Sequence, residues 1–132
     1  MKGVAEHVFE ALYAPQLTYP PKSDKDIPGN IWKGEFQPIH RNYPGFNTSS
    51  QTVALLNRTA KDRACRGLSP GTGEQCDEFP FASTKEGAGR GDGNFSVRYV
   101  PQTDNSTAGA RLSAWYGKDR ILNGDAYGIF VD

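Results

Sequence analysis

The sequence predicts a small single α+β domain with a mainly antiparallel sheet and helices packed on it. Three observations carry that reading. Residues 94–100 (NFSVRYV) alternate, sending Phe95, Val97 and Tyr99 to one side and Ser96, Arg98 and Val100 to the other, as a strand does. Three other segments repeat apolar residues at helical spacing. Fifteen Gly and nine Pro among 132 residues require many turns and short elements, which argues against a helical bundle.

In chain order, Val4, Val8, Ala11 and Leu12 mark an amphipathic helix that Pro15 ends. Residues 15–47 carry six prolines with Ile31, Trp32, Phe36, Ile39 and Phe46, the composition of an extended arm that wraps the domain in short strands. Thr48-Ser49-Ser50 offers an N-cap for a second helix with Val53, Leu56, Ala60 and Ala64 as its stripe, stopped by Gly67 and Pro70. Phe79-Pro80-Phe81 reads as a short strand or strand edge. After the strand over 94–100, Pro101 closes it and Asp104 caps a third helix with Ala108, Leu112, Trp115 and Tyr116 inward and Gly117 as the stop. Arg120–Leu122 and Tyr127–Val131 are expected to pair as a terminal hairpin around Asn123-Gly124-Asp125. The domain then divides into a helix and arm (1–47) and a core (48–132).

The charge balance is 15 against 15, so no global basic field marks a nucleic-acid binder, although a local groove or a metal can supply positive charge. No segment is apolar enough to span a membrane. Met1-Lys2-Gly3 opens directly into a helical pattern, without a signal peptide, as expected of a mature or trimmed domain or the end of a longer protein. Cys65 and Cys76 cannot make a structural zinc site alone, and their spacing is not a redox motif. Bridged, they would stabilise the fold by roughly 3 kcal/mol and imply an oxidising compartment. Two reduced thiols in a cytosolic chain are the alternative.

Chemistry concentrates in residues 76–86 (CDEFPFASTKE). Asp77, Glu78 and Glu86 surround an apolar Phe-Pro-Phe wedge, an arrangement able to bind a cation or tune a general base, or else a strand end with solvated acids. Asp104-Asn105 follows the next strand, and a strand pair leading into a helix can bring its hard oxygens to the acids, where Mg²⁺, Ca²⁺ or Mn²⁺ would fit. A plain helix cap is the alternative. His40 could serve as base or ligand or simply be packed, and His7 on the first helix reads as structural. Arg90-Gly91-Asp92 lies in a glycine-rich turn and reads as coincidence. The Asn-x-Ser/Thr triplets at Asn47, Asn57, Asn94 and Asn105 matter only in a eukaryotic secretory route.

The run CDEFPFASTKEG, then a strand, Asp-Asn, an apolar helix and Arg-Ile-Leu-x-Gly-Asp-Ala, resembles the NucA/NucB-type deoxyribonuclease domain. This is a family of small secreted nucleases also found as toxin modules. The resemblance covers about residues 55–132 and, more loosely, the arm. It implies metal-dependent, largely sequence-nonspecific cleavage of DNA on a ββα-metal (His-Me finger-like) unit in which an Asp replaces the usual catalytic His. Residue by residue, it implies Asp77 as general base, Glu78 and Glu86 as its helpers, and Asn105 with Glu86 holding one Mg²⁺, Mn²⁺ or Ca²⁺ ion.

Some members carry Arg where Cys76 stands, so an arginine clamp does not transfer to that position. The departure suits a Cys65–Cys76 bridge, and Arg58, Arg98 and Arg120 become the candidates for phosphate contact. The partner implied is DNA. The expected form is a secreted monomer, with a neutralising immunity protein if the domain is a toxin. A scaffold that binds DNA without cutting it is the competing reading.

Overall fold

The computed structural model describes residues 1–131; position 132, with which the expected domain ends, lies outside the described residues. Three helices and two small antiparallel sheets follow one another as α1 (Lys2–Tyr13), β1 (Ile39–His40), α2 (Thr48–Cys65), β2 (Glu74–Phe79), β3 (Ser96–Pro101), α3 (Gln102–Lys118) and β4 (Ala126–Tyr127). β2 pairs with β3 with Asp77 opposite Arg98 and Phe79 opposite Ser96, and β1 pairs with β4. The expected single sheet is therefore two separate ribbons. Among the described residues no helix is long and apolar enough to cross a membrane.

The β2–β3 ribbon is covered on both faces, which is why β3 buries Ser96 and Val100 as well as Val97, with Phe95 buried just ahead of it. On one face α1 buries Val4, Val8, Ala11 and Leu12 against Phe79, Val100 and Tyr116, with Ala108, Leu112 and Trp115 of α3 packed at the margin. On the other face Phe95 and Val97 pack with Cys65 and Ala88, next to Ala60 and Ala64 of α2. The Cys65–Cys76 disulfide, which spans 11 positions, ties α2 to β2.

Three local expectations change. Asn47, rather than the Thr-Ser-Ser run, caps α2, its side chain accepting from the Ser50 N–H at 2.8 Å. Leu56 is half exposed, and the buried α2 positions are Ser50, Asn57 and Cys65. The helix docks through a polar contact: Asn57 donates to the Ala82 and Thr84 carbonyls and accepts from the Gly89 N–H. A Cβ on Gly89 would collide with the α2 backbone, so this close approach needs glycine. Asp104 does not cap α3, which starts directly after β3; its carboxylate instead accepts from the Gly3 N–H in the first turn of α1 at 2.9 Å and pins α1 to α3.

The terminal hairpin does not form. Asp125 accepts from the Leu122 N–H to close a turn, and the Arg41 backbone exchanges hydrogen bonds with Asp125 and Gly124. β4 consequently finds its partner in the arm, at Ile39–His40. Of the arm's apolar residues named above only Ile39 enters the core; Trp32 and Phe46 stay exposed.

Candidate active site

Strand alternation disperses the acids that the sequence groups. Asp77 faces α1, while Glu78 turns to the opposite face, toward Arg58, Lys61 and Asp62 of α2. The Asp77 side chain is 11% exposed, and its Oδ2 lies 2.7 Å from Nδ1 of His7. His7 is fully buried, and its Nε2 lies 2.7 Å from Ser96 Oγ. The sequence reading missed this pairing. The available signal was a histidine among the apolar positions of a helix, where a buried polar ring needs partners.

Glu78 is half-buried as a residue, but its carboxyl is sunk: Oε2 has neither solvent nor a hydrogen-bond partner. Burial pushes its pKa up to about 8, with Asp77 and Asp62 adding to the shift and Lys61 and Arg58 opposing it. Glu86 sits elsewhere, its Oε1 accepting from the His40 backbone N–H at 2.7 Å and its Oε2 lying 2.6 Å from His40 Nδ1. Among the described residues no hydrogen bond joins Glu86 to Asn105.

Asp77 and Asn105 do line one cleft of about 560 Å³, together with Glu78, Arg41, Asn42, Arg111 and Tyr116. Asn105 donates to Gln75 Oε1 at 3.1 Å, which leaves its amide oxygen without a partner among the described residues. Arg41 donates to the Ile121 carbonyl, and its guanidinium lies 4.4 Å from the Tyr116 ring centre and 5.3 Å from that of Tyr43. Of the three arginines singled out from sequence, Arg58 lies on α2, Arg98 lines a separate groove against α1, and Arg120 sits exposed in the turn after α3. None lines the Asp77 cleft.

Among the described residues no three His, Cys, Asp or Glu side chains converge into a metal cage. The cleft instead offers isolated hard oxygens, the Asp77 carboxylate and the Asn105 amide. That donor set fits an ion such as Mg²⁺, which keeps several waters and takes few protein ligands. Three triplets are engaged internally: Asn57 is 1% exposed, Asn47 caps α2, and Asn94 accepts from the Asp26 N–H.

A family model described as Deoxyribonuclease NucA/NucB matches residues 36–130. No curated protein and no solved structure matches the chain.

Proposed function

The chain belongs to the NucA/NucB deoxyribonuclease family, and from that premise we propose that it is a metal-dependent, largely sequence-nonspecific DNA endonuclease with Asp77 as general base. One observation carries the reading: a carboxylate braced on Oδ2 by a buried imidazole lines a cleft that also holds an arginine and an amide oxygen.

Asp77 takes a proton from a water in the cleft. The water oxygen forms a bond to phosphorus as the bond from phosphorus to one sugar oxygen breaks, and that oxygen collects a proton from solvent. Arg41, whose planar cation stacks on two aromatic faces, holds a phosphate of the backbone and gives the cleft the local positive charge that the neutral chain lacks overall. Asn105 would hold a hydrated Mg²⁺ or Mn²⁺, which supplies Lewis-acid polarisation of the phosphate. Phosphate contact without base contact makes cleavage indifferent to sequence. The Cys65–Cys76 bridge supports work in an oxidising compartment.

Nicking of supercoiled plasmid tests this. Mg²⁺ or Mn²⁺ supports nicking, EDTA abolishes it, and Asp77→Asn lowers the rate by about 10²–10⁴-fold in a protein that still folds. Full activity in EDTA overturns the metal requirement. DNA binding without cleavage by the wild type favours the inactive scaffold.

A second reading rests on the His40–Glu86 pair. Glu86 engages Nδ1 of His40, an arrangement that orients an imidazole with its other nitrogen available. If His40→Gln abolishes cleavage while Asp77→Asn retains it, His40 is the base and Glu86 its orienting carboxylate.

A further inference from the structure

We propose that His7 is a positioning residue for Asp77, a role that rests on Asp77 being the base. Both ring nitrogens are engaged at 2.7 Å, Nδ1 with Asp77 Oδ2 and Nε2 with Ser96 Oγ. A carboxylate only accepts, so the Nδ1 proton donates to Asp77. In the neutral ring the Ser96 hydroxyl then donates to Nε2 and fixes that tautomer.

The ring cannot swing away. It is fully buried, and α1 is locked in rotation by Val4, Val8, Ala11 and Leu12 in the core. Gly3 lets the helix start press on the β3–α3 junction, where a Cβ would lie 2.9 Å from Pro101 and 3.2 Å from Asp104. Ser96 stands on β3 opposite Phe79, so both strands of the ribbon bracket the imidazole. Held on Oδ2, the carboxylate has one orientation in which to present Oδ1. Residue 7 precedes the residues matched by the family model, so α1 supplies this support from outside the matched segment.

Side-chain geometry separates positioning from packing. In His7→Asn the amide nitrogen falls near the place of Nδ1 and still reaches Asp77. In His7→Gln it falls near the place of Nε2 and does not. With plasmid at saturation, His7→Gln is expected to lower kcat about 100-fold at little change in KM, the scale of a base displaced by about an ångström. His7→Asn is expected to stay within about tenfold of wild type on the same geometric argument. Full kcat in His7→Gln, or equal kcat in the two variants, overturns the proposal. If His7→Gln does not fold, Ser96→Ala takes its place: releasing the ring from β3 is expected to lower kcat about tenfold, and unchanged kcat overturns the proposal. Asp77→Asn measured in parallel separates the two failures. Activity retained there removes the base itself, whereas inactivity there with full kcat in His7→Gln removes only the positioning role.

Discussion

Replacing Glu78 with glutamine gives a pH-dependent stability difference whose sign and size follow from the structure. The carboxyl is sunk against α2 with Oε2 unpartnered, and burial raises its pKa from 4.5 to about 8. Between those values the unfolded chain has released the proton while the folded chain keeps it. The folded state binds more protons, so its stability falls as pH rises through the window. Each unit costs about 1.4 kcal/mol, so wild type loses about 2–3 kcal/mol between pH 5.5 and 7.5 from this group alone. In Glu78→Gln the side chain keeps the same shape and has no proton to lose, and all other titrations are common to both proteins. Urea unfolding of the two at pH 5.5 and 7.5, in EDTA with the disulfide intact, should show the variant gaining about 2–3 kcal/mol on wild type across the interval. Parallel pH dependences would mean that Glu78 is ionised in the folded state and that the buried-acid reasoning is wrong.

Three further outcomes are expected. Replacing both Cys65 and Cys76 with serine lowers stability by about 3 kcal/mol, the loop entropy of a bridge spanning 11 positions; an unchanged urea midpoint refutes it. Asn57→Ala leaves two carbonyls and an N–H of the 82–89 segment without their partner and costs about 3 kcal/mol or more, read by thermal and urea unfolding; a loss below about 1 kcal/mol contradicts the docking role. Arg41→Lys keeps the charge but loses the stacked planar fork, so KM for plasmid rises about tenfold while kcat changes little; an unchanged KM removes Arg41 as the phosphate clamp.

Local periodicity made much of the fold legible. The stripe of α1, the strand over 94–100 and the α3 stripe each depend on neighbours a few residues away, and each appears within about three residues of its expected bounds. Pairings set by distant partners were not legible. β4 joins the arm rather than residues 120–122 because the Arg41 backbone supplies the hydrogen bonds. α2 docks by an amide and a glycine, so an apolar-stripe reading misjudged Leu56. At the site, the family motif pointed to Asp77 and Asn105, which share a cleft. Glu78 borders the same cleft, but one residue of strand turns its carboxyl toward α2, and the loop carries Glu86 to His40. His7 was hidden because its partner lies 70 residues away.

The central claim is that Asp77 takes the proton. Single-turnover nicking of supercoiled plasmid by wild type and Asp77→Asn, at saturating enzyme and Mg²⁺, reads that step directly. The account predicts equal DNA binding and matched unfolding midpoints, with the nicking rate of the variant lower by about 10²-fold or more. A variant that nicks at the wild-type rate contradicts it.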